Sequence, residues 1–398
     1  MEIKFDVRKR ALLLVVVMIF RALSSYGTVV DAVNGYAPKF TLETVKSVDG
    51  DTIDCVDIYR QPAFDHPSLR NHTIQMRPSS YPTGFKSASP PQPNLLLQRF
   101  KNCPEGTVPI LRTKPLKKAA ETNSIATKKG RRRSALNSTS DDIYTGHEHS
   151  IVYLNNGNFH GAEAFLNVWN PVLDATEGEF SLGQFWLLSG HMDAGDLNSV
   201  EAGWTVHPSL FGDNKTRLFG YWTNSSYKTG CYNLLCPGFV QTSKRIVLGA
   251  ALTPVSTYEG HQYGMNLKIF KDAESGNWWL MFQGLEVGYW PNSLFTGLAD
   301  SATVIEWGGE VFDAKPDGVH TATQMGSGHF ATEGFRRASF FSNLKYVDAS
   351  DVYQTPQTLG SVVEAPNCYN IEIGSGENTT QFGYYFFFGG PGRSPQCP

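Results

Sequence analysis

Long apolar runs are nearly missing from this 398-residue chain. The one that stands out, Ala11–Phe20, follows the basic cluster Arg8-Lys9-Arg10 and precedes small residues around Ser24 to Gly27. No later segment approaches the roughly 20 apolar residues that a membrane span requires. The run is therefore expected to be a signal peptide over residues 1–27, and the product to be exported, with no membrane association after signal cleavage. Net charge is small as well, −3 overall, but it divides unevenly. Residues 1–147 hold 22 Lys and Arg against 13 Asp and Glu, whereas residues 148–398 hold 12 against 24. An acidic C-terminal part excludes a phosphate-binding face, and with it nucleic acid as a partner.

Several catalytic signatures are also missing. There is no Gly-x-Ser-x-Gly elbow, and Gly326-Ser327-Gly328 reads as a turn. There is no His-Glu-x-x-His helix; His147-Glu148-His149 lies at the edge of a linker, reads as a solvated loop, and implies no metal. Asp193-Ala194-Gly195 stands alone, without the second copy that an aspartic-peptidase pair needs. No phosphate loop or dinucleotide fingerprint occurs, so no cofactor is expected. The six cysteines are even in number in an exported chain, and placement suggests three local disulfides: Cys55 with Cys103, Cys231 with Cys236, and Cys368 with Cys397. That leaves no thiol to act as nucleophile.

What is present divides into four parts. After residues 1–27, residues 28–112 form a compact module with Asp and Pro turns, expected to be a pro-domain. Residues 113–146 carry Lys114, Lys117, Lys118, Lys128, Lys129 and the triplet Arg131-Arg132-Arg133 with almost no large apolar side chains. Such a stretch cannot bury enough surface to order itself, so it reads as an exposed linker with a processing site at the arginines. Residues 147–398 read as an all-β domain. Runs such as Ala162–Val168, Phe180–Leu188, Val200–Val206, Val304–Phe312 and Tyr384–Phe388, bounded by Gly, Asn, Asp and Pro, predict an antiparallel sandwich, jelly-roll-like. Only Pro291–Asp300 is expected to be helical. Five sequons, at Asn71, Asn137, Asn214, Asn224 and Asn378, fit a glycosylated exported surface.

The remaining chemistry is carboxylate chemistry. On a strand, Glu201, Gly203 and Thr205 share one face and Trp204 the other; Glu306, Gly308 and Glu310 likewise share a face. The glycines read as room for a substrate backbone. By pattern alone Glu306 and Glu310 are both candidates to face Glu201. Two carboxyls across a groove cannot easily both ionise, so one holds a proton while the other activates water.

Longer segments carry a resemblance. Asp49-Gly50-Asp51-Thr52-Ile53-Asp54-Cys55-Val56 through Gln61-Pro62-Ala63-Phe64-Asp65-His66-Pro67 resembles the activation peptide of the neprosin family. Glu201-Ala202-Gly203-Trp204, Tyr232-Asn233-Leu234-Leu235-Cys236, Gly288-Tyr289-Trp290-Pro291, Trp307-Gly308-Gly309-Glu310 and Gln324-Met325-Gly326-Ser327-Gly328 resemble its catalytic domain. The resemblance implies a zymogen of a glutamic endopeptidase with two facing antiparallel sheets, active at acidic pH and cleaving after proline. It implies Glu201 and Glu310 as the catalytic pair and the chain's own activation peptide as an intramolecular inhibitor of a peptide-cleaving site. Trp204, Tyr263 and Trp307 are candidate walls for a proline ring. Acidification is expected to release a fragment beginning near residues 128–150, and the compartment to be extracellular or apoplastic, with a vacuole as the other option. The competing expectation is an inactive apoplastic β-sandwich whose aromatics bind cell-wall glycan or protein.

Overall fold

A computed structural model describes residues 40–85, 100–113, 146–176, 178–315, 318–374 and 382–398. The expected signal peptide, most of the basic linker with Arg131, Arg132 and Arg133, and the sequons at Asn137 and Asn378 lie outside the described residues.

Alternating apolar and β-branched residues form three antiparallel sheets. The smallest joins Thr41–Lys46, Thr52–Asp57 and Thr107–Leu111, all in the N-terminal module. The second has seven strands in the order Gly360–Val363, His147–Leu154, Val304–Phe312, Phe180–Ser189, Asn198–Val206, Arg217–Asn224, Thr229–Tyr232. The third has nine strands and is centred on Gly264–Lys271, Gly161–Asn167 and Ser339–Val347. The chain is thus the all-β sandwich preceded by a smaller module that the sequence predicts.

One face of the seven-stranded sheet packs on the nine-stranded sheet. Val152, Phe185, Val200, Trp204, Ile305 and Trp307 meet residues such as Ala164, Leu267, Ile269 and Phe388 there, in one continuous apolar core. The opposite face carries a separate, smaller cluster that includes Ile151, Phe180, Leu182, Trp186, Phe219 and Tyr221. Both faces are covered, so all nine residues of Asn198–Val206 are buried.

Two expectations are corrected here. Pro291–Asp300 is not one helix but two 3₁₀ turns, Asn292–Leu294 and Gly297–Ala299, with Phe295 extended between them. Asn198 Oδ1 accepts the backbone N–H of Thr296 at 2.8 Å and of Gly297 at 2.9 Å, in place of the carbonyls a continuous helix would offer. Nor do the glycines beside the glutamates open space for substrate. A Cβ on Gly203 would stand 2.1 Å from Gly183 O, one on Gly308 2.2 Å from Ser150 O, and one on Gly309 2.7 Å from the Phe388 ring. These glycines let strands and sheets approach.

The N-terminal module lies against the nine-stranded sheet and reaches the edge of the seven-stranded one. Gln61 donates to Gln241 O at 3.0 Å, His72 Nε2 is 2.7 Å from Tyr289 Oη, and Ser79 N donates to Asp272 Oδ2 at 2.7 Å. Val56, Ile58, Leu69, Val108 and Ile110 join the main core. Asp51 forms a buried ion pair with Arg217, at 3.0 Å from its Nη2. Three disulfides, Cys55–Cys103, Cys231–Cys236 and Cys368–Cys397, use every cysteine.

Candidate active site

Cross-strand partners share a face, so the register can be read as rows across the seven-stranded sheet. One row runs Tyr153, Glu306, Trp186, Glu201, Tyr221, Tyr232; the next Ile151, Gly308, Gln184, Gly203, Phe219; the next His149, Glu310, Leu182, Thr205, Arg217. All three glutamates therefore stand on the face turned away from the main core. The Phe180–Ser189 strand separates Glu201 from Glu310, and Gln184 lies on it between their rows.

Glu201 is 4% exposed and Glu310 7%. Ser199 Oγ donates to Glu201 Oε1 at 2.5 Å, Tyr227 Oη to the same oxygen at 3.3 Å, and Gln184 Nε2 to Oε2 at 3.1 Å. Burial disfavours the charged form and is the largest influence; with the nearby charge of Glu310 it outweighs these three donors and pushes the Glu201 carboxyl up to about 8. Two of the donors are hydroxyls, which can turn round and accept a proton's hydrogen bond, so a protonated Glu201 keeps its partners.

Glu310 goes the other way. Burial would raise it too, but His147 Nδ1 lies 2.5 Å from Oε1, His149 Nε2 lies 3.7 Å from Oε2, and these groups hold the carboxyl below its usual value. His207, itself lowered to about 4 by burial, is neutral above that pH and adds little charge. His149 is pushed up to about 9: burial would lower it, and a hydrogen bond to Glu364 with the charges of Glu310, Glu364 and Glu306 overcomes that. Glu306 is raised by burial, with His149 opposing. The site thus pairs one carboxyl that keeps its proton to near-neutral pH with one that has lost it, the asymmetry that acid–base hydrolysis requires.

Trp204 and Trp307 are fully buried on the core face, away from the glutamates, and are not groove walls. Strand alternation sends them to the other side, and Trp204 Nε1 donates across the sandwich to Asn167 O at 3.0 Å. Tyr263 precedes the Gly264–Lys271 strand of the other sheet, its carbonyl accepting from Asn167 Nδ2 and Ser256 Oγ. The glutamate face instead carries Phe180, Trp186, Phe219 and Tyr221, with Tyr227, Tyr232 and Phe312 packed against them. His147 and His149 are not in a solvated loop: they begin the His147–Leu154 strand and face Glu310. Their i, i+2 spacing at a strand start was the signal, as was that of Ser199 and Glu201. Gln184, alone among apolar neighbours, gave none; its Oε1 is buried and, among the described residues, meets no donor.

Of the sequons, Asn71 and Asn214 are exposed. Asn224 is not a free acceptor: its Nδ2, the atom a glycan would take, donates to Leu294 O at 2.8 Å. Among the described residues, one His and Cys group is close enough to hold an ion, His320 with Cys368 and Cys397, but both sulfurs are in a disulfide, so no thiolate is offered.

A family model described as neprosin matches residues 177–391, and one described as the neprosin activation peptide matches residues 44–153. Among solved structures, the chain is similar to a crystal structure of scytalido-glutamic peptidase with a peptide-based transition-state analogue, at 10% identity and a TM-score of 0.32, over 62% of this chain and 98% of that one. It is also similar to SCP-B, a member of the eqolisin family of peptidases, in complex with a tripeptide, at 10% identity and a TM-score of 0.30, over 61% and 97%.

Proposed function

The chain belongs to the neprosin family of glutamic peptidases and carries its activation peptide, and from that premise we propose that it is a secreted zymogen whose mature form cleaves peptide bonds after proline, with Glu310 as base and Glu201 as acid. The observation that carries this reading is the opposite displacement of the two carboxyls, one up to about 8 and one below its usual value, on a single sheet face. Glu310 takes a proton from water as the oxygen attacks the scissile carbonyl. Glu201 hydrogen-bonds the carbonyl oxygen as charge develops there and then gives its proton to the leaving nitrogen as the C–N bond breaks. As the products separate, the proton that Glu310 took from water passes through solvent to Glu201, which leaves Glu310 ionised and Glu201 protonated as at the start.

Both groups are in the required form from below the ordinary carboxylate range up to about pH 8, so activity extends from acid toward neutrality. For proline, the flat rings of Tyr221, Tyr227 and Tyr232 offer apolar faces beside Glu201. Gln184 Oε1 offers an acceptor for a substrate N–H.

The domain scheme is residues 28–112 as activation peptide, 113–146 as the processed linker and 147–398 as catalytic domain. Inhibition by the activation peptide is supported by Asp51, which anchors on Arg217 at the end of the row that holds Glu310. Export is supported by the three disulfides, and no helix of the described residues is long and apolar enough to cross a membrane. The test is hydrolysis of a peptide with a single proline, followed by mass spectrometry, for the wild-type enzyme and for Glu201→Gln and Glu310→Gln. Persistent cleavage by either variant, or cleavage that ignores replacement of the proline by alanine, overturns the corresponding part.

A further inference from the structure

We propose that His147 and His149 are positioning residues that clamp Glu310, one on each carboxylate oxygen, and so decide that Glu310 and not Glu201 is the ionised member of the pair, with Glu364 anchoring the clamp through His149. The proposal rests on the peptidase reading above.

The chain reaches this arrangement simply. Residues 147 and 149 share a strand face, and the register puts His149 directly opposite Glu310 and His147 opposite Phe312. His147 Nδ1 meets Oε1 at 2.5 Å and His149 Nε2 approaches Oε2 at 3.7 Å. The two rings lie nearly parallel, 6.5 Å apart with 14° between their planes, and the Phe312 ring lies 4.8 Å from His147. On its far side His149 Nδ1 is 2.8 Å from Glu364 Oε2, and the same oxygen accepts the His149 backbone N–H at 2.7 Å. His149 therefore has a carboxylate at each ring nitrogen, the arrangement that favours the doubly protonated ring.

The clamp answers an electrostatic problem. Glu310 shares its surroundings with the carboxyls of Glu201, Glu306 and Glu364, the neutral His207, and the phenols of Tyr221 and Tyr232. Of these only His207 favours a Glu310 carboxylate, and burial lowers His207 itself to about 4, so it carries little charge above that pH. Without a cation both members of the pair would hold protons at acidic pH, and no base would remain. The two histidines supply the missing donors and charge from the neighbouring strand, so the division of labour is set from outside the pair.

The experiment is the pH profile of kcat/KM on a single-proline peptide for wild type, His147→Phe, His147→Asn, His149→Gln and Glu364→Gln. Asparagine keeps an N–H near the place of Nδ1; phenylalanine keeps only the ring. The acid limb should move toward neutrality by about one pH unit or more in His147→Phe and His149→Gln, a loss of about tenfold on that limb, carried by kcat with KM little changed. His147→Asn should recover most of it, and Glu364→Gln should show a smaller displacement. An acid limb that stays in place in folded His147→Phe and His149→Gln overturns the clamp while leaving the glutamate pair intact; activity in Glu310→Gln overturns the assignment of Glu310 as base on which the clamp rests. Should the histidine variants fail to fold, ¹⁵N NMR of the wild-type enzyme decides: a His149 ring with both nitrogens protonated at pH 7.5 supports the clamp, and a neutral ring there overturns it.

Discussion

Glu306 shares a cross-strand row with Glu201, with only Trp186 between them, yet the carboxylate whose charge raises Glu201 is Glu310, two rows away. Trp186 stands between them on that row and is 4% exposed, while Gln184 and two glycines occupy the row between Glu201 and Glu310. Register alone does not select the partner.

The first consequence concerns activity. Glu201→Gln and Glu310→Gln should each lower kcat/KM by about 10²- to 10⁴-fold, the range for loss of a general acid or base. Glu306→Gln should cost far less. A steady-state assay on a single-proline peptide checks all three. Intact peptide with the wild-type enzyme, together with glycan binding indifferent to these changes, would favour the sugar-binding alternative.

Stability should fall as pH rises from mildly acidic to alkaline. Glu201 keeps its proton in the folded chain up to about 8, against 4.5 for an ordinary Glu, so between those values the unfolded chain has released a proton that the native state still holds. Stability is then lost with rising pH at about 1.4 kcal/mol per unit. His149, raised from 6.5 to about 9, acts with the same sign: its contribution is complete below 6.5 and disappears as pH passes about 9. Glu310, lowered, contributes above its ordinary value and loses that contribution in stronger acid. Thermal melts from pH 3 to 9 should flatten between about 5 and 6.5 in Glu201→Gln and fall less steeply above that, where His149 still releases its proton.

Breaking the Asp51–Arg217 pair should loosen the precursor. The two side chains are 8% and 3% exposed, and Asp51 also accepts the Ala251 N–H at 3.1 Å. Asp51→Ala leaves a buried guanidinium short of a partner, at a cost of about 3 kcal/mol. Asp51→Ala with Arg217→Met should lose less than the single change. Denaturant unfolding of the precursor measures both.

Trp204→Phe separates packing from specificity. The indole is fully buried and donates to Asn167 O, so the change should cost about 2 kcal/mol or more in stability and leave KM for a proline peptide within about twofold. A large rise in KM with unchanged stability would return Trp204 to the groove.

Maturation should stop short of the clamp. Since His147 holds Glu310, the acid-treated precursor should give an active fragment that begins between residues 128 and 147. A fragment starting beyond His147 that kept full acid activity would contradict both the boundary and the clamp; intact-mass analysis of the product decides.

Sequence by itself determined the class of fold and the chemistry available. Two-residue alternation with glycine and proline punctuation writes antiparallel strands directly, because side-chain direction on a strand is a local property. It also puts Glu201 opposite in face to Trp204, but alternation assigns faces without saying which face is the core, so it does not tell a groove wall from a core tryptophan. Tertiary structure alone decided the rest. The His147-Glu148-His149 cluster became part of the site only because the strand it begins lies beside that of Glu310, 163 positions away. The glycines near the glutamates proved to be contacts between strands and sheets. Which of two glutamates acts on the Glu201 carboxyl, and which carboxyl keeps its proton, depend on how deeply each is buried and on histidines across a strand boundary. Those are distances, and a linear pattern of residues does not contain them.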